Sequence, residues 1–277
     1  MGFIEQIKAF ILGVVEGLTE FAPVSSTGHM IIVDDMWLNT ADDLGSASAT
    51  TFKVVIQLGS VLAAAWVFRE RYFDMLYLKK NNNFFNKKKL KITHIFIGMI
   101  PAGVLGLLFD DFIEENLFSI PTVIVGLFLG AVYMIVADIV NKKYSVKKNL
   151  DEITYLQAFI IGLSQSIALW PGFSRSGSTI STGSLLGFSH KASSNFTFIM
   201  AVPIMLGASL LSLFKNIEDI EMNHFAFYLI GFITSFVVSI LTIRLFLKLI
   251  NRIKLIPFAI YRIILASILA FIISKII

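Results

Sequence analysis

Apolar runs long enough to cross a lipid bilayer recur along the whole of this chain, and they restrict its fold more than any other feature. Windows near residues 52–69, 93–109, 120–140, 196–214, 225–248 and 256–274 each read as a spanning helix, since about 20 apolar residues in helical form cover the hydrocarbon core. Within hydrocarbon every backbone N–H and C=O must be satisfied inside the protein, so spans of this kind are helical. Only 15% of the 277 residues are charged, against about 25% in a soluble domain. The expectation is an all-α integral membrane protein, a single membrane domain over 1–277 with about six transmembrane helices.

The connecting segments give an orientation. Residues 79–91 (KKNNNFFNKKKLK), 142–148 (KKYSVKK) and the flanks of Arg252 and Lys254 are basic, whereas Asp110 to Asn116 (DDFIEEN) and Lys215 to Asn223 (KNIEDIEMN) are mainly acidic. They alternate as six crossings require, and the excess of lysine and arginine assigns the basic loops to the cytoplasm. The net charge of +4 therefore reflects orientation and implies no nucleic-acid partner. With no cysteine and four histidines, disulfides, thiolate metal sites and a clustered zinc site are excluded. Phe3 to Val15 is apolar but contains Lys8 and runs into Glu16 and Glu20 without a small-residue cleavage site, so it is expected to stay in the mature protein.

Two further segments, roughly 8–37 and 157–190, are apolar yet broken by Pro, Gly and clustered Ser/Thr. KAFILGVVEGLTEFAPVSSTGHM (8–30) aligns without a gap on QAFIIGLSQSIALWPGFSRSGST (157–179), and the likeness continues from 51–65 to 194–208 and from 97–101 to 230–234. The chain reads as a duplicated unit, with halves of about 1–145 and 150–277. Three spans plus one non-spanning hairpin per half give an inverted-topology repeat with two re-entrant helical hairpins, whose broken tips meet in the bilayer. Ordinary Pro/Gly-kinked spanning helices are the plainer alternative.

The tips hold the residues capable of chemistry. Glu16 and Glu20 are one helical turn apart on one face, and carboxylates inside an apolar run usually face a cavity, pair with a cation or bind a metal; an interfacial pair at a helix end is the bland reading. Ser25, Ser26, Thr27, Gly28 and His29 follow Pro23 and resemble a helix N-terminus suited to anions. There Ser26 is a candidate nucleophile and His29 a proton carrier, unless the hydroxyls only cap. The second tip, Pro171 to Thr179, adds Arg175 amid Ser174, Ser176 and Thr179; a guanidinium fork matches phosphate oxygens, although Arg175 paired with Glu16 or Glu20 is the structural alternative. Two acids, a hydroxyl, a histidine and an arginine sharing one wet pocket make a phosphoryl-transfer set. Its substrate must be amphiphilic, with the chain left in lipid.

EGLTEFAPVSSTGH (16–29) and PGFSRSGST (171–179), with FKVVIQLGSVLA (52–63), IPAGVLGLLF (100–109) and IPFAIYRIILA (256–266), resemble the bacitracin-resistance family of undecaprenyl-diphosphate phosphatases nearly end to end. The resemblance implies hydrolysis of undecaprenyl diphosphate to the monophosphate, recycling of the cell-wall lipid carrier, and bacitracin resistance. It implies a multi-pass protein of the bacterial cell membrane with an outward-facing site. It also implies that Glu16 and Glu20 serve catalysis and a divalent cation, Mg²⁺ or Ca²⁺, that Ser26 is the nucleophile and His29 the proton carrier, and that Arg175 grips the diphosphate. Ser174, Ser176 and Thr179 would support it, as Ser25 and Thr27 would from the first tip. A homodimer is compatible with the sequence.

A polyprenyl-phosphate flippase or secondary transporter is the alternative class, because broken hairpins in inverted repeats recur in transporters. A passive scaffold is disfavoured by the cost of ionisable groups in apolar segments. Asp138, Arg244 and Lys248 read as helix-end residues that reach water. Arg262, a few residues into the last span, is expected to pair with a carboxylate, and Trp37, Trp66 and Trp170 to sit at the interface.

Overall fold

The structure, a computed structural model, describes residues 2–76, 89–143, 147–215 and 222–276, and the regular secondary structure among them is helical apart from one isolated bridge between Lys148 and Phe188. The expected spans appear as α4 (Ser46–Val67), α6 (Ile92–Leu108), α8 (Ile120–Asn141), α11 (His190–Lys215), α12 (Phe225–Ile253) and α13 (Ile256–Ile276). Five of these are long and apolar enough to cross a membrane alone; α6 bends by 76° into α7 (Asp110–Leu117), and the pair counts as a sixth only if taken as one broken span. Short helices α3 (Thr40–Leu44) and α5 (Arg69–Leu76) flank α4. Leu107, Phe214 and Phe271 stand more than half exposed, which lipid, not water, makes favourable. Parts of the basic loops 79–91 and 142–148 and of the acidic loop 215–223 lie outside the described residues.

Neither interrupted segment is a continuous span. In the first, α1 (Phe3–Thr19) is followed by a break and then α2 (Ser26–Met30), which runs into a π-helical stretch, Ile31–Leu38. In the second, α9 (Tyr155–Ile167) starts at Thr154, whose hydroxyl accepts from the Gln157 N–H at 3.2 Å; it breaks before α10 (Arg175–Leu185). Ser178 Oγ donates to the Ser164 carbonyl at 2.6 Å, so α10 lies back against α9.

The chain divides into two compact units that interleave the sequence: Met1–Ala22, Ser26–Val67 and Ala201–Leu245 form the first, and Pro23–Ser25, Phe68–Met200 and Phe246–Ile277 the second. Each is sealed by a glycine contact. In the first, a Cβ on Gly13 would lie 2.7 Å from the Gly231 carbonyl oxygen; in the second, one on Gly162 would overlap the backbone of Gly98. Without hydrophobic drive between helices in lipid, such close backbone approach supplies the packing energy.

Two sequence expectations change at this level. Asp138 does not reach water: fully buried, it meets His190 Nε2 at 2.5 Å and accepts the backbone N–H groups of Leu255 and Ile256 at 2.8 and 2.9 Å. It ties the end of α8 to the starts of α11 and α13, because buried acids keep their charge only when multiply hydrogen-bonded. Arg262 is also fully buried, but its acceptors among the described residues are backbone carbonyls and a thioether, not a carboxylate. Trp37 and Trp66 are exposed, whereas Trp170 is half-buried and donates its indole N–H to the Thr122 carbonyl at 3.0 Å.

Candidate active site

In the first unit the acids sit where α1 ends. Glu16 faces inward on the helix, and Glu20 occupies its C-terminal cap, its N–H bonded to the Glu16 carbonyl at 3.0 Å. Both are buried, at 4% and 8% exposure, a depth at which a carboxylate needs strong partners. Across the break, Ser26 Oγ donates to Glu20 Oε2 at 2.5 Å, in the short range of a hydroxyl bonded to an ionised oxygen. Glu20 is thus one group placed to take the Ser26 proton. His29 lies three residues beyond Ser26 on the same short helix, half-buried with Thr27.

Glu16 receives a longer contact of 3.4 Å from Ser60 Oγ on α4, a residue that sequence reading passed over as one of many small residues in a span. Lys53, about two turns earlier on the same helix, pairs with Asp34 at 2.9 Å and Asp35 at 2.6 Å, tying α4 to the π-helical stretch after α2. A divalent cation fits this acid pair: the donors are hard oxygens one turn apart. Among the described residues no three acidic or histidine groups converge, so two carboxylates would be completed by phosphate oxygens and water, the mode Mg²⁺ prefers.

In the second unit the break turns through two left-handed residues, Gly172 at φ +89° and Ser174 at φ +74°. Ser174 is the N-cap of α10, its hydroxyl accepting from the Gly177 N–H at 3.1 Å. Its Oγ also lies 3.3 Å from that of Ser176. Arg175 is the first helical residue and half-buried, so it starts at the positive end of the dipole. Thr179 is fully buried; its hydroxyl donates to the Arg175 carbonyl and accepts from Thr197, at 2.9 Å each. That makes Thr179 a support of the turn.

Ser25, the residue aligned with Ser174 in the internal repeat, has φ +73°. A non-glycine residue in this region carries about 1–3 kcal/mol of strain, and such strain is kept where geometry matters. The acids and Ser26 belong to the first unit, whereas Arg175, Ser174 and Ser176 belong to the second.

Gln165 was missed. It aligns with Glu16 across the repeat, is 3% exposed, and neither amide atom has a hydrogen-bond partner among the described residues. Each orphaned buried group costs about 1–3 kcal/mol. Gln165→Met, similar in volume and apolar, should therefore raise the thermal midpoint of the detergent-solubilised protein; an unchanged or lowered midpoint would show that the amide is satisfied.

Over residues 9–268 the chain matches the family described as bacitracin resistance protein BacA. It is 64% identical to the undecaprenyl-diphosphatase of Staphylococcus haemolyticus, across 98% of this chain and 95% of that protein. Identity is 63% to the enzyme of the same name from Staphylococcus saprophyticus, with the same coverage, and 61% to that of Staphylococcus aureus strain MSSA476, covering 98% and 96%.

Proposed function

The chain belongs to the BacA family of bacitracin resistance proteins, and from that premise we propose how its residues divide the work of an undecaprenyl-diphosphatase. It is a multi-pass bacterial membrane enzyme that hydrolyses undecaprenyl diphosphate to the monophosphate and phosphate. The observation that carries the division is the part-buried 2.5 Å bond from Ser26 Oγ to Glu20.

Ser26 Oγ attacks the terminal phosphorus and gives its proton to Glu20, while the bond to the bridging oxygen breaks and His29 protonates the departing lipid phosphate. Water then attacks the phosphoserine, losing a proton to His29, and Ser26 leaves with the proton held by Glu20. Arg175 holds the non-bridging oxygens, with Ser174 and Ser176 adding donors and Ser25 and Thr27 doing so from the other break. Glu16, with the second oxygen of Glu20, would hold the Mg²⁺ or Ca²⁺ ion, which when bound offsets phosphate charge.

The alternating loop charges support an inverted-topology duplication with the site facing outward. A phosphate-release assay on purified enzyme and undecaprenyl diphosphate, with and without chelator, tests the scheme. Turnover should collapse with chelator and return with Mg²⁺ or Ca²⁺. Full turnover in chelator would remove the cation from the reading, and the absence of any phosphate release would remove the hydrolytic reading itself.

A further inference from the structure

We propose that Arg262 is a positioning residue for hydrolysis: it fixes the backbone of the break before α10 and thereby sets where Arg175 points. The inference rests on the diphosphate-binding role given to Arg175 above. Arg262 is fully buried in α13. Its Nη2 donates to the carbonyls of Gly172 at 2.8 Å, Phe173 at 2.9 Å and Gly126 at 3.2 Å, and its Nη1 to Met134 Sδ at 3.4 Å. A buried guanidinium is normally matched by a carboxylate, since desolvation is otherwise uncompensated. Among the described residues every acceptor is a neutral backbone or thioether atom, so the residue is poorly explained as a stabilising ion pair.

Its placement is better explained by what it holds. Gly172 and Ser174 both adopt left-handed backbone, at φ +89° and +74°, and the two carbonyls between them, those of Gly172 and Phe173, are the ones Arg262 binds. Oxygens turned toward Arg262 cannot face an incoming anion, so the fork removes two partial negative charges from the turn that leads into Arg175. The fork also fills space that only glycine leaves. A Cβ on Gly130 of α8 would overlap Arg262 Nη2 and the Phe173 carbonyl oxygen, and one on Gly177 in the first turn of α10 would lie 2.9 Å from Nη1.

One side chain therefore clamps α8, the break and α10 together, two residues from Arg175. Lysine keeps the charge but cannot reproduce this planar fork. The clamp also accounts for an arginine in the final span that the reaction itself does not use.

A double-mutant cycle on the full-length, detergent-solubilised enzyme separates positioning from general stability. Arg262→Lys is expected to lower kcat about 100-fold, the cost of misplacing a catalytic group by about 1 Å. On an Arg175→Ala background the same substitution should cost less than about threefold, because the group it positions is already gone. Equal losses on both backgrounds, or wild-type kcat in folded Arg262→Lys, would overturn the inference. If Arg262→Lys does not hold its fold, Gly130→Ala takes its place in the cycle, since the added methyl displaces the fork while leaving the guanidinium present. Loss of the fold in both variants makes Arg262 a packing residue and also overturns it. Wild-type turnover in Arg175→Ala would instead sink the underlying reading of Arg175.

Discussion

In the Glu20→Gln variant, phosphate release from undecaprenyl diphosphate is expected to fall by about 10³- to 10⁴-fold, with the thermal midpoint close to that of the wild type. Glutamine matches glutamate in size, so the end of α1 keeps its packing, but it cannot take the Ser26 proton. The bond from Ser26 Oγ to Glu20 Oε2 would survive in some form, yet the hydroxyl would stay protonated during attack. Ser26→Ala should cost a similar factor, and the Glu20→Gln/Ser26→Ala double variant should be little worse than either alone, since groups that act as one unit lose their function together. Ser26→Ala with most of its activity would end the covalent scheme and leave Glu20 acting on water. Rapid-quench capture of a phosphorylated Ser26 during turnover would support it directly.

The acid and hydroxyl of this pair could be found in the sequence because they are chemically costly where they stand. Glu16 and Glu20 interrupt an apolar run, and Ser25 to His29 interrupt the next; charged or hydroxyl clusters in hydrocarbon require a use. The six apolar windows were equally legible, since length and hydropathy alone specify a spanning helix. Pairing was not. Nothing in the spacing of Glu20, Ser26 and His29 says which base the serine addresses, because that depends on how the chain turns between residues 20 and 26.

The internal alignment was informative in a finer way than its identities suggest. Ser25 and Ser174, matched by it, share the left-handed backbone at φ +73° and +74°. Gly13 and Gly162, also matched, meet Gly231 and Gly98, which the same alignment pairs with each other. The exchange of partners between halves, α1 with α12 and α9 with α6, had no local signal, because glycine contacts look alike whichever helix supplies the other side. Ser60, Lys53 and Gln165 were invisible for a related reason: a single polar residue in a span reads as ordinary until its neighbours are known. Asp138 was misread because position near a helix end was taken as access to water, whereas packing buries it; Arg262 meets backbone carbonyls and a thioether where a carboxylate was expected.

Arg175→Lys is expected to reduce kcat/KM by about 10³-fold, nearly as far as Arg175→Ala, although it retains the positive charge. Were Arg175 only a counter-charge, lysine would recover most of the rate. Its place as the first residue of α10, directly after a strained N-cap serine, argues instead for directional donors aimed at oxygens that gain charge as the terminal phosphoryl group transfers. A single ammonium cannot donate two parallel hydrogen bonds, and its shorter reach leaves one phosphate oxygen to water. The loss should appear in kcat more than in KM, because the interaction strengthens as the transition state forms. Inorganic phosphate, a weaker mimic of that charge, should inhibit the lysine variant less than about tenfold more poorly than the wild type. A lysine variant with wild-type kcat and a raised KM would reassign Arg175 to ground-state binding, and an active alanine variant would remove it from the site.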